Sequence, residues 1–146
     1  MTLVGFKSIP LSLAQLSLAV VLKCGQSFRW SRLTPPTSEA QQTGSAEEHL
    51  RIEYRLCLKD RVICLRQSPD TLFYRSVFPD PQPSPEKLVL REAETFEWLK
   101  DYFQLNIDLV SLYKQWAEKD RVFARFQNRF IGIRMLRQDP WENVVS

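Results

Sequence analysis

Leu50-Arg51-Ile52-Glu53-Tyr54-Arg55-Leu56-Cys57-Leu58-Lys59-Asp60-Arg61-Val62-Ile63-Cys64-Leu65 is the stretch from which the fold is read. Leu50, Ile52, Tyr54, Leu56 and Leu58 alternate with Arg51, Glu53, Arg55 and Cys57, the period-two pattern of a half-buried strand. A tight turn at Asp60-Arg61 sets Leu58 opposite Ile63 and Leu56 opposite Leu65, apolar on apolar. A second turn at Pro69-Asp70 sets Leu65 opposite Tyr74, so the expectation is a three-stranded antiparallel meander from Leu50 to Phe78.

The opposite face of this meander carries charge. The expected register sets Arg55 against Arg66, Cys57 against Cys64, and Arg75 beside Cys64. Like charges directly opposed cost stability unless water or an anion matches them. Arg55, Arg66 and Arg75 therefore have two readings: an ordinary wet sheet face, or a patch facing phosphates. Two thiols fall short of a closed zinc site, so the cysteines read as packing residues and no metal is expected.

Upstream, Gln26, Phe28 and Trp30 alternate with Ser27, Arg29 and Ser31, and a fourth strand is expected over 26–32. Ser17 is placed to cap a two-turn helix over Leu18–Lys23, which Gly25 ends. Gly25 also has two readings, a helix C-cap or bare backbone that a ligand can approach. Spacing does not separate them. From Leu33 to Glu48 there is almost nothing apolar to bury, and the segment reads as a surface loop.

Downstream, Pro79, Pro81, Pro83 and Pro85 make a stiff connector, because proline supplies no ladder donor. Helical spacing follows. From Glu92 to Phe103 one stripe holds Phe96, Leu99 and Phe103, with Trp98 and Tyr102 at its edge. Asp108 caps a helix with Leu109, Leu112, Tyr113 and Trp116, and Asp120 caps another with Phe123, Phe126 and Phe130. Gly132 breaks that helix. Asp139-Pro140-Trp141-Glu142 has the acceptor, proline and glutamate of a helix start. The fold class expected is α+β: a meander plus one strand, packed with helices.

Composition excludes several classes. The 146 residues suit one domain, and 44% hydrophobic content is that of a globular chain. A net charge of +3 permits a polyanionic partner without arguing for one. Three cysteines, an odd count without a secretory leader, favour reduced thiols in the nucleus or cytosol. The apolar run Leu16–Leu22 is too short to cross a bilayer, so no membrane association is expected. The single histidine, His49, borders the polar loop and reads as a solvent-exposed residue. No phosphate-binding glycine loop, Cys-x-x-Cys or Ser/His/Asp set is visible, and no cofactor is expected.

Three blocks carry a resemblance: Gly25-Gln26-Ser27-Phe28-Arg29-Trp30, Tyr102-Phe103-Gln104-Leu105-Asn106, and Gly132-Ile133-Arg134-Met135-Leu136-Arg137-Gln138-Asp139-Pro140-Trp141-Glu142. Together and in this order, they make the chain resemble the eukaryotic 8-oxoguanine DNA glycosylase/AP lyase family from about Ser8 to its last residue. The resemblance implies a sheet similar to half of a TATA-binding protein over 8–137. The first turns of a truncated helix-hairpin-helix glycosylase domain would follow at 138–146. It implies damaged double-stranded DNA containing 8-oxoguanine as partner, base flipping, and bond cleavage by a lysine amine. It also implies a nuclear location, with the mitochondrion as a second one.

In that family the glycine of the first block accepts, through its carbonyl, the hydrogen that oxidation places on N7 of the base. Here that residue is Gly25. Guanine would meet the carbonyl lone pair to lone pair, a mismatch worth roughly 1–3 kcal/mol. The family's Asn-Asn-Asn segment, helix-hairpin-helix, catalytic lysine and later aspartate do not occur in these 146 residues. The expectation is thus the N-terminal part of a base-excision-repair enzyme, with no catalytic residue of its own and inactive alone. The missing C-terminal glycosylase domain would be its partner. The alternative is a free-standing nucleic-acid-binding or interaction module without catalysis.

Overall fold

Five antiparallel strands form one sheet, in the order β1-β5-β4-β3-β2. They are β1 (Lys7–Pro10), β2 (Ser31–Leu33), β3 (Glu53–Cys57), β4 (Val62–Gln67) and β5 (Thr71–Val77). The computed structural model describes residues 3–23, 29–34, 50–138 and 140–145. The chain divides into two compact units, Met1–Leu11 with Arg29–Phe96, and Ser12–Phe28 with Glu97–Ser146.

In the first unit, the meander folds as its alternation requires. The turn at Pro69-Asp70 stands as expected: Ser68 N–H donates to Thr71 O at 2.9 Å, and Leu65 pairs with Tyr74. The Asp70 carboxylate accepts from the Ser68 and Thr71 hydroxyls, which holds it below the usual carboxylate range.

The first turn differs from expectation. It is centred on Lys59-Asp60, with Leu58 N–H donating to Arg61 O at 2.8 Å. Leu56 therefore faces Ile63, Tyr54 faces Leu65, Arg55 faces Cys64 and Cys57 faces Val62. The expected oppositions of Arg55 with Arg66 and of Cys57 with Cys64 do not occur. Arg61 supplies the reason. Only 8% exposed, it donates to Thr95 Oγ1 and to Arg91 O, both at 2.8 Å, and pairs with Glu94 at 2.7 Å and Asp60 at 3.0 Å. A guanidinium committed to these partners cannot sit at a turn tip. Moving the turn by one residue shifts the pairing by two, so each side chain keeps its face.

The strand signal at Leu50 also starts later than the alternation suggests. Leu50 and Arg51 are helical and β3 opens at Glu53. At the far edge, β2 is Ser31–Leu33 and pairs with β3. Of the strand expected over 26–32, residues 26–28 lie outside the described residues and Arg29 and Trp30 are not strand, while Leu33 is strand rather than loop. The fifth strand, β1, has no counterpart in the expected sheet. Lys-Ser-Ile-Pro buries little and is held by pairing with β5, so it has no hydrophobic period to find. Its Pro10 is at the strand end on a sheet edge, where a missing donor costs least.

One face of the sheet carries Tyr54, Leu56, Ile63, Leu65, Leu72 and Tyr74, all buried. Residues of α2 (Pro85–Tyr102) meet that face: Ser76 and Thr95 hydroxyls share a hydrogen bond of 2.7 Å, and the Tyr74 and Phe96 rings lie 6.3 Å apart. The helix begins seven residues before Glu92, with proline at its first position. Its first two turns are mostly exposed, so no apolar stripe marks them.

The second unit contains α1 (Leu18–Val21), α3 (Leu109–Lys119), α4 (Arg121–Phe126) with a 3-10 turn at Gln127–Arg129, and α5 (Pro140–Val145). Asp108 and Asp120 cap their helices as expected: Asp108 accepts from Ser111 N–H, and Asp120 from Val122 and Phe123 N–H. The α1 helix is shorter than the expected Leu18–Lys23, and Ser17 occupies its cap position although its hydroxyl accepts no capping bond. Phe126 and Phe130, expected on a buried stripe, are 40% and 46% exposed. Tyr113, Trp116 and Phe123 do form a ring cluster, with centroids 5.4 to 5.8 Å apart. Asp139, the expected cap of α5, lies outside the described residues.

Candidate nucleic-acid interface

The three arginines singled out on the sheet's second face converge on one carboxylate. Glu53, 3% exposed, accepts from Arg55 Nε and, at 3.3 Å, from Arg66 Nε; Arg75 Nη2 is 3.8 Å away. In the observed register no two of these arginines are directly opposed, and the anion they share is internal. The ring of Phe6 adds a second support, with the guanidinium carbons of Arg66 and Arg75 at 5.2 and 4.9 Å from its centroid. Arg66 also donates to Leu50 O at 3.3 Å. Three cations around one anion leave an excess of positive charge on a face where each guanidinium side chain stays 32 to 46% exposed. A phosphate reaching this face would share those donors with Glu53.

Cys64 is buried between Arg55 and Arg75, with its Sγ 4.0 Å from Arg75 Nη2, while Cys57 is exposed. Among the described residues no group of three or more His, Cys, Asp or Glu is placed to hold a metal, and no helix is long and apolar enough to cross a membrane.

Gly25, the candidate substrate contact, and His49 lie outside the described residues. Of the first block, Arg29 and Trp30 are described, and Arg29 Nη2 donates to Cys57 O at 2.8 Å. The other two blocks meet inside the second unit. Arg134 is buried, and donates to Gln15 O, to Gln15 Oε1 at 2.8 Å and to Gln104 O at 2.8 Å. Gln104, with φ of 51°, follows α2 and returns a bond from Nε2 to Met135 O at 2.8 Å. Arg137 N–H donates to Tyr102 O at 2.8 Å.

Gln15 extends this network. Its Nε2 donates to Asp108 Oδ1 at 2.7 Å, and its Oε1 accepts from Leu109 N–H at 2.9 Å. The Gln15 amide, ahead of the Ser111 bonds, draws the Asp108 carboxyl down to about 2. Burial lowers the Arg134 value, opposed by Asp108 and Tyr113. The motif arginine therefore secures three chain segments through neutral oxygens. Nothing in the sequence marks Gln15 as its partner; a lone glutamine in an irregular stretch has no period or motif.

Gly132 opens the last block with φ of +77°, and its carbonyl accepts from Ser17 N–H at 2.9 Å. A Cβ there would stand 2.3 Å from Leu13 O and 2.8 Å from Ser17 N. Two of the three blocks are thus structural ties.

Comparison with known proteins agrees with this architecture. The chain is 28% identical over 144 residues to an N-glycosylase/DNA lyase of Saccharomyces cerevisiae, covering 97% of this chain and 33% of the relative. It is 29% identical over 144 residues to N-glycosylase/DNA lyase OGG1 of Arabidopsis thaliana, covering 96% and 32%. The chain therefore spans about a third of the length of these curated relatives. Two solved structures share the fold at 20% identity: MBOgg1 in complex with a low-affinity DNA ligand (TM-score 0.59, 97% of this chain and 38% of that one), and apo 8-oxoguanine glycosylase/lyase from Clostridium acetobutylicum (TM-score 0.58, 97% and 41%). The model of the 8-oxoguanine DNA glycosylase N-terminal domain matches residues 8–144, and the chain belongs to that family.

Proposed function

We propose that this chain is the N-terminal part of an 8-oxoguanine DNA N-glycosylase/AP lyase acting in base-excision repair. Its contribution is lesion recognition and duplex binding; bond breaking belongs to the helix-hairpin-helix glycosylase domain that is its partner. The family match over 8–144 carries the reading. Residues 8–137 are the recognition domain and 138–146 the opening turns of the catalytic one. The substrate is double-stranded DNA holding 8-oxoguanine, met in the nucleus and, second, in the mitochondrion.

The Gly25 carbonyl is the proposed acceptor for the N7 hydrogen of the lesion. A backbone oxygen suits that task because its two lone pairs reject the N7 acceptor of guanine. Arg55, Arg66 and Arg75 are proposed as backbone contacts that exchange part of their hydrogen bonding from Glu53 to phosphate. Sodium borohydride trapping tests the division of labour: the 146-residue chain incubated with 8-oxoguanine duplex should yield no covalent protein–DNA band. A trapped band would place an amine nucleophile within this chain and overturn it.

A further inference from the structure

We propose that Arg121, Arg125 and Arg129, along the outer side of α4 and its 3-10 extension, form a second contact surface for a duplex phosphate backbone. The proposal rests on the DNA-binding reading above and adds a surface distinct from the sheet arginines. The residues recur every four positions, so Arg121 and Arg125 stand one helical turn apart on the same side, and the 3-10 turn presents Arg129 beyond them. All three are exposed, and none is in an ion pair among the described residues.

Charge is concentrated here. Residues 114–137 hold seven Lys or Arg against two Asp or Glu, an excess of five, while the whole chain carries +3. Two of the seven are already committed: Arg134 is buried, and Arg137 pairs with Asp101 at 3.2 Å. The nearest acid, Asp120, spends its carboxylate on the N-cap of α4. Between the arginines lie Val122 and Phe126, 62% and 40% exposed, and Arg129 stands over the Phe126 ring at 5.9 Å. A ring that supports a guanidinium from one side leaves its N–H groups free to donate outward. Clustered guanidinium donors without internal anions are the footprint of a polyanion partner, and arginine forks match phosphate oxygens.

The test is the salt dependence of binding to an undamaged duplex. Wild type is compared with Arg121→Ala/Arg125→Ala/Arg129→Ala, and with a charge-matched control, Arg51→Ala/Lys59→Ala/Lys87→Ala, built on exposed residues. The row variant should lose about 2–3 units of slope in log K against log salt, at roughly 0.9 per phosphate contact. The control should keep the wild-type slope. Equal slopes for row variant and wild type would overturn the row and leave the DNA reading standing. Absence of salt-dependent binding by wild type would overturn both.

Discussion

Gly132→Ala is expected to be the most damaging single methyl that can be added to the described chain. At φ of +77° alanine costs roughly 1 kcal/mol against glycine. Collision costs more than this backbone strain. The new Cβ would stand 2.3 Å from Leu13 O and 2.8 Å from Ser17 N, both backbone atoms that no rotamer can move aside. Relief requires separating Gly132 from Ser17, which breaks the bond from Ser17 N–H to Gly132 O. Strain plus a lost backbone bond gives a total of about 3 kcal/mol or more. Thermal denaturation followed by circular dichroism should show a fall of roughly 10 °C, or no cooperative transition. A variant that melts with wild type would mean that this approach is not held in solution.

Glu53→Gln is expected to have the second largest effect. The carboxylate is buried among three guanidiniums, and amide substitution leaves their charge uncompensated while turning two N–H donors toward them. Breaking a buried ion pair from one side costs about 3–5 kcal/mol in fully buried cases. The arginines here retain water, so about 2–3 kcal/mol is expected. Arg55→Ala, by contrast, removes the most exposed of the three and should cost under about 1 kcal/mol. Urea denaturation of the two variants separates them. Equal midpoints would show that the arginines are solvated independently of Glu53. The same geometry bears on the proposed phosphate contact, because a phosphate there would compete with an anion already in place.

Much of the fold is legible in the residues themselves. The alternation in Tyr54, Leu56, Ile63 and Leu65 announces the meander, and Pro69-Asp70 fixes the second turn. Asp108 and Asp120 announce helix starts, because a cap is a local event between a side chain and two or three following amides. What the residues do not show has a different cause. The Lys59-Asp60 turn is set by Arg61, whose partners Glu94 and Thr95 lie more than thirty residues away. β1 is an edge strand held by backbone pairing, and Pro85–Arg91 is helix without a buried stripe, so neither carries a period.

The candidate site divides in the same way. Arginines clustered on one sheet face can be read from the strands, since sidedness survives a two-residue slip. Glu53 as their shared anion cannot, because its role depends on register across three strands. Gln15 and Arg134 meet through a separation of 119 residues, which no local pattern encodes. The basic row at Arg121, Arg125 and Arg129 is present in the sequence, but only the burial pattern of α4 and the 3-10 turn after it shows that all three are exposed.

Equilibrium titration of the intact chain against two duplexes, identical except for one 8-oxoguanine in place of guanine, tests the central claim most directly. Recognition through a main-chain acceptor at Gly25 predicts tighter binding to the lesion duplex, by about five-fold or more, with affinity for both falling as salt rises. Equal affinity for the two duplexes, or no salt-dependent binding to either, would contradict it.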